Sequence, residues 1–326
     1  MSSSLGNKLK VLFSPFVKPE SIHGLAAAVV NGEEAACVCL GHASPSSNIL
    51  LSPSHYFEIA SITKTVVGIL FSKMVLERKI TLNSECSHFL PQLHGRIIGS
   101  VTIAELLTHS SGIPRLPSNL KPQNPMNPYL GYSYDDLMQE LLQLEIGDKK
   151  YLYSNLGFSL LGKVVEIIYK DKISDVLRNE VLVPLGISGV NFSTDPQTVV
   201  LTDVHSHSMQ NVEPWLLGEF EAAGGMRATI EQMKVYLDAN VWPEKTLLKD
   251  AILDSHKFLY FDGENKVGMA WHNGTKSGNV FHDGGTYGSS SFIEFNPSTK
   301  KGIVILSNTY SDFKDLIPAI DSCLDY

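Results

Sequence analysis

The sequence predicts an α/β domain assembled from both ends of the chain and interrupted by an all-α insertion. Apolar runs of strand length, bounded by turn residues, occur near the N-terminus and again in the last third. Between them the apolar residues recur at helical spacing, and the connections are rich in proline. An Asn31-Gly32 pair between two such runs is a strong local hairpin signal, so the first strands should pair antiparallel. The expected division is residues 1–80 with 219–326 for the α/β domain and residues 81–218 for the inserted all-α domain. At 326 residues the chain is long enough to bury a sizeable core in one large unit or two that share an interface.

Taken in order, Leu25 to Val30 and Ala35 to Leu40 form the hairpin around Asn31-Gly32. Tyr56-Phe57-Glu58-Ile59-Ala60 is strand-like, and a helix follows from Ser61 to about Arg78. Ile103 to Leu107, Tyr134 to Leu144, Leu156 to Tyr169 and Ile173 to Val183 carry the helical spacing of the insertion. The loop holding Pro114, Pro117, Pro122, Pro125 and Pro128 cannot keep a regular helix and is long enough to act as a functional lip. After Ala222-Ala223-Gly224-Gly225 comes a helix, Ile230 to Leu237. Strands then return at Lys266 to Trp271, Val280 to His282, Ser290 to Phe295 and Gly302 to Ser307, with a turn at Asn296 to Lys301. A helix from about Asp312 to Leu324 closes the chain.

Composition removes several function classes. The net charge is −8 and no lysine- or arginine-rich run occurs, which argues against nucleic acid or an anionic membrane as partner. No stretch approaches the ~20 apolar residues of a membrane-spanning helix. Met1 to Lys10 lacks the apolar core and small-residue cleavage site of a signal peptide, so a cytoplasmic protein is expected. Cys37 and Cys39 sit two apart on one strand face, while Cys86 and Cys323 are isolated, so reduced thiols are expected rather than a disulfide framework or zinc site. His205-Ser206-His207 has no third ligand at a useful spacing and reads as a solvated loop.

Three polar clusters carry the chemistry. In Ser61-Ile62-Thr63-Lys64, the i, i+3 spacing at a helix start puts an amine beside a hydroxyl, and a serine needs such a base to become a nucleophile. The helix end adds unpaired N–H groups that favour developing negative charge. S-x-x-K occurs four times, at Ser61, Ser118, Ser298 and Ser311. Ser118 lies in the proline-rich loop, Ser298 in the Asn296 to Lys301 turn, and Ser311 suits a helix cap. The second cluster, Tyr153-Ser154-Asn155, precedes a helix. A tyrosine there can relay a proton beside an ammonium, and Asn155 has the carbonyl and amide to hold Lys64 and a substrate carbonyl together. The third is Phe281-His282-Asp283-Gly284-Gly285-Thr286 at a strand end. Gly284 and Gly285 allow close approach of a ligand or backbone, the Gly285 amide can pair with that of Ser61 as an oxyanion hole, and His282 can donate to a tetrahedral intermediate or assist proton transfer. Lys276-Ser277-Gly278 competes for this third role but falls too early, before the strand. Glu58, on the strand before Ser61, reads as structural.

S-x-x-K, then Y-x-N, then H-x-G on a C-terminal strand resembles the serine β-lactamase and penicillin-binding-protein superfamily. The tyrosine-based second motif is similar to that of class C β-lactamases and their relatives. Flanking blocks agree, among them Phe57 to Thr65, Leu106 to Pro114, Tyr153 to Gly162, Ala222 to Met226 and Gly302 to Asn308, and the likeness runs through nearly the whole chain from about His23. It implies a β-lactamase/transpeptidase-like fold, an antiparallel sheet flanked by helices plus an all-α lobe, with the site at their junction. It further implies an acyl-enzyme on Ser61, proton transfer by Lys64 and Tyr153, and no metal or organic cofactor. Histidine at position 282 replaces the lysine of true class C β-lactamases, which helps bind the β-lactam carboxylate. That departure is similar to family VIII-type esterases, D-aminopeptidases and low-molecular-weight D,D-peptidases. The substrate expected is therefore a small ester or amide, with a lactam or D,D-peptide as the alternative. Acyl transfer to an alcohol or amine is a second chemistry. A non-catalytic binding member is a third reading, whose mark would be loss of the serine or lysine.

Overall fold

The computed structural model describes residues 4–18, 20–44, 48–195, 201–206, 208, 210–273 and 278–325. His207, Lys276 and Ser277 lie outside the described residues. Its centre is a nine-stranded antiparallel sheet. The order runs Ile49–Leu50, Glu34–Ser44, Gly24–Asn31, Lys301–Ser307, Ser290–Asn296, Val280–Gly285, His272–Asn273, Lys266–Val267 and Tyr260–Phe261. The two chain ends thus meet in one sheet, with Leu25 opposite Ser307 and Asn31 opposite Lys301.

The interior strand Gly24–Asn31 explains the layering. Its side chains alternate between two cores, as the pleat demands. Leu25, Ala27 and Val29 join Leu9 and Phe13 of the helix Ser4–Phe13 and Ile320 of the helix Ile317–Asp325. Ala26, Ala28 and Val30 join Met233, Tyr236 and Leu237 of the helix Ile230–Val241 and the larger core beyond it. Helices therefore cover both faces of an antiparallel sheet, which is the α/β class the sequence predicts. Among the described residues, no helix is long and apolar enough to cross a membrane.

Several elements differ from expectation for local physical reasons. The hairpin pairs Asn31 with Glu34, so its loop is Gly32-Glu33, with Gly32 supplying the positive φ of 61°. Lys266 to Trp271 is not one strand. Val267 pairs with His272 across a tight reversal in which Met269 N–H donates to the Ser255 carbonyl and Ala270 N–H to the Leu107 carbonyl. Those backbone groups bind helix ends, and Ala270 turns to a φ of 69° to do so. The last helix starts only at Ile317, after Phe313 adopts a φ of 55° and a 3₁₀ turn spans Lys314–Leu316. The predicted Ile173 to Val183 helix is α only over Ile173–Leu177 and widens to a π turn over Arg178–Leu182. Tyr56–Glu58, strand-like in sequence, pairs into a second sheet with Met226–Thr229 and Asn191–Phe192, two strands the sequence pattern misses because each is too short to show a period.

Candidate active site

Tyr56–Glu58 pairs with Met226–Thr229, and the Ile59 N–H continues the ladder to the Met226 carbonyl at 3.1 Å. The chain then turns sharply: Ala60 adopts a φ of 45°, a region L-residues with a Cβ rarely enter. A 3₁₀ turn, Ala60–Ile62, feeds the helix Thr63–Leu76. This corner leaves Ser61 half-buried on a cavity wall and drives Lys64 inside, where it is 0% exposed.

The Lys64 Nζ donates to Ser61 Oγ at 2.9 Å and to the Ala223 carbonyl at 2.5 Å. It also lies 5.0 Å from the ring centre of Tyr153 and 5.5 Å from that of Phe158. Among the described residues no carboxylate pairs with it. Burial, then the nearby Arg115 charge, push its pKa well below the ordinary lysine value, with Asp283 opposing. A neutral lysine can accept the hydrogen of a hydroxyl at that distance, and the Ser61 hydroxyl is within its reach.

Tyr153 ends the loop before the helix Asn155–Tyr169, whose N-cap is Ser154, accepting from Gly157 N–H at 2.9 Å. Burial raises the Tyr153 phenol pKa, and its hydrogen bond with Ser61 opposes that rise. Asn155 points elsewhere: its Nδ2 donates to Tyr129 Oη at 2.9 Å, and its Oδ1 is buried without a partner among the described residues. Lys64 uses Ser61 and Ala223 as acceptors, so the structure does not join Asn155 to it.

The strand Val280–Gly285 alternates across its pleat. His282 and Gly284 are buried, whereas Asp283 and Gly285 are exposed. Gly284 lies against the serine corner: a Cβ there would sit 2.6 Å from the Ile59 carbonyl and 2.9 Å from the Ser61 nitrogen. Gly285 has more room, its nearest neighbour being a Tyr310 ring carbon at 3.3 Å. Gly284→Ala is therefore expected to displace the serine corner and cost roughly 1–3 kcal/mol in unfolding free energy together with most activity, while Gly285→Ala keeps its stability. Denaturant melts and turnover of the two variants check this, and equal tolerance would refute the close packing of these backbones.

His282 is 1% exposed and lies behind the cavity wall. Its Nδ1 meets the Asp283 carbonyl at 2.5 Å, and since a carbonyl only accepts, the ring proton is on Nδ1. The Nε2 is then a lone-pair acceptor, buried and without a partner among the described residues. Burial lowers the His282 pKa well below its usual value, so the ring is neutral. The sequence suggests a donor to the tetrahedral intermediate or a group that assists proton transfer, and the acceptor that this tautomer offers at Nε2 suits only the second.

The cavity beside Ser61 has a volume of about 890 Å³. Tyr153, Gly284, Gly285, Arg115, His272 and Asp283 share its wall with Ser61. Sequence reasoning missed Arg115 and His272. Arg115 comes from the proline-rich loop, whose length marks it as a lip, and its guanidinium lies 5.0 Å over the Tyr153 ring.

The remaining candidates have plain roles. Ser118 Oγ donates to Glu140, Ser298 N–H to Asn296 within its turn, and Ser311 Oγ accepts from Phe313 N–H. Glu58 accepts from Trp215 N–H and Thr286 Oγ1, bracing the loops around the site. His205 stacks edge-on against His23, and among the described residues no cluster suits a metal ion.

The beta-lactamase family model matches residues 9–321. Protein flp of Staphylococcus aureus (strain MRSA252) is 27% identical over 286 residues, which cover 84% of this chain and 56% of that protein. The chain thus matches little more than half the length of that relative. A beta-lactamase of Providencia stuartii is 26% identical over 266 residues, covering 80% of this chain and 67% of that one. A solved class C beta-lactamase has the same fold, with a TM-score of 0.85 at 21% identity over 98% of this chain and 95% of its own. With its family match spanning both the corner at Ser61 and the strand at Gly285, the chain belongs to the beta-lactamase family.

Proposed function

We propose that the protein is a serine hydrolase that forms an acyl-enzyme on Ser61 and hydrolyses a small carboxylic ester or amide. The observation that carries this reading is a fully buried lysine with no carboxylate partner among the described residues, hydrogen-bonded to Ser61 Oγ at 2.9 Å. Neutral Lys64 takes the Ser61 proton as Oγ adds to the substrate carbonyl. The amides of Ser61 and Gly285 receive the oxyanion. Tyr153 passes the proton to the leaving oxygen or nitrogen as the carbonyl–heteroatom bond breaks. Water then adds to the acyl-Ser61 ester, giving up a proton to the same pair, and Ser61 is released with its hydrogen restored.

The cavity lining bears on the substrate. Arg115 shares the lining with Asp283, Glu294, Asp312 and Asp321. Histidine in place of lysine at position 282 leaves that strand without a fixed cation; Arg115 supplies one from the lip, but carboxylates outnumber it. An uncharged acyl ester suits this field better than a substrate that must bring its own carboxylate. The test is kcat/KM for p-nitrophenyl butyrate, nitrocefin and a D-Ala-D-Ala peptide. The ester should lead. A tenfold preference for nitrocefin or the peptide, about 1.4 kcal/mol of transition-state binding, would replace this reading with a β-lactamase or D,D-peptidase.

A further inference from the structure

We propose that His109 is a positioning residue, which fixes Tyr153 by holding the chain on both sides of it and stacking on its ring. The proposal rests on the reading above, in which Tyr153 moves a proton. The Leu152 N–H donates to the His109 carbonyl at 2.8 Å, and the Ser154 N–H donates to His109 Nδ1 at 3.0 Å. Those are the residues immediately before and after Tyr153. Between the two bonds the rings of His109 and Tyr153 stack, with centroids 4.3 Å apart and an interplanar angle of 29°. Phe158 packs against His109 at 5.1 Å, so the imidazole cannot back away.

The backbone at His109 makes the choice of side chain informative. The helix Ile103–Leu107 ends in a Schellman arrangement, with Ser110 N–H bonded to the Glu105 carbonyl and His109 N–H to the Leu106 carbonyl. His109 takes the left-handed position of that motif at a φ of 57°, where glycine is the usual residue. A histidine there is less favourable than glycine, and it is 1% exposed, so neither backbone preference nor solubility accounts for it. The stack and the Nδ1 bond do.

The protonation state fits the task. An Nδ1 that accepts a main-chain N–H carries no proton, which leaves the hydrogen on Nε2, buried without a partner among the described residues. Burial first, then Lys64, His272, His282 and Arg115, disfavour an imidazolium at this position. A protonated ring would also lose the Ser154 bond. His109 therefore keeps its grip across the working pH range, and a displacement of Tyr153 by ~1 Å is the kind of error that costs large factors in rate.

The test is a double-mutant cycle. Asparagine tolerates the left-handed backbone and offers an acceptor, but has no ring. His109→Asn should lower kcat per fluorophosphonate-titrated site by about tenfold, with KM within about twofold. In the Tyr153→Phe background the same change should cost less than about twofold, because there is no phenol left to position. An equal factor in both backgrounds, or wild-type kcat in His109→Asn, overturns the inference. Undiminished turnover in Tyr153→Phe alone would instead sink the reading on which it rests. If the variants do not fold, ¹⁵N-histidine NMR on the wild-type enzyme decides. His109 should stay neutral with its proton on Nε2 between about pH 5 and 8, and an Nδ1–H tautomer or an imidazolium at about pH 6 refutes the clip.

Discussion

Ser61→Ala is expected to reduce turnover by a factor on the order of 10⁴ or more, as loss of an acylating nucleophile does, and to abolish labelling by a fluorophosphonate. The wild-type protein should take up one probe, in the peptide containing Glu58 to Lys64. Ser61 alone among the four S-x-x-K serines has the Nζ of its lysine hydrogen-bonded to its own Oγ. Ser118 is engaged with Glu140, and Lys314 beside Ser311 pairs with Asp312. Ser311 also lines the cavity, so it is the serious competitor. Labelling there, or full turnover in Ser61→Ala, would sink the assignment. Melting temperature should barely change, since a half-buried hydroxyl is replaced by a smaller side chain.

Much of this was legible in the sequence because the clusters sit at element ends, where local signals are strongest. The Ser61 corner, the loop before Asn155 and the strand end at Gly285 each announce themselves through a cap, a glycine pair or a change of period. What local pattern does not encode is direction. The period-two rule was available for Val280 to Gly285 and separates His282 with Gly284 from Asp283 with Gly285. Which face meets the cavity depends on partners far along the chain. The same limit hid Arg115, delivered by a loop without periodicity, and His272, whose segment reverses because its amides bind Ser255 and Leu107 rather than a neighbouring strand. The orientation of Asn155 was hidden for a related reason. Its amide is committed to Tyr129, a contact no spacing could reveal.

Lys64 and Tyr153 should behave as one proton-transfer unit. Lys64→Ala and Tyr153→Phe are each expected to lower kcat by about a hundredfold or more, and the double variant should fall well short of the product of the two. A full product would mean that they act independently. The pH profile gives a second handle with a definite sign. If neutral Lys64 is the base, kcat/KM rises with pH through the Lys64 pKa of the free enzyme. Burial sets that pKa low, Arg115 lowers it further, and Asp283 raises it. Arg115→Ala removes a cation that disfavours the ammonium, so the Lys64 pKa rises and the acid limb moves to higher pH. Asp283→Asn removes an anion that favours the ammonium, so the pKa falls and the limb moves to lower pH. Lys64 donates to Ser61 and Ala223, and Ser61 also bonds Tyr153, so neither substituted side chain hydrogen-bonds the pair. Opposite displacements in the two variants are therefore the result expected of a titrating Lys64. Displacements in the same direction, or none in either, would mean that another group controls the acid limb and that Lys64 is not the titrating base.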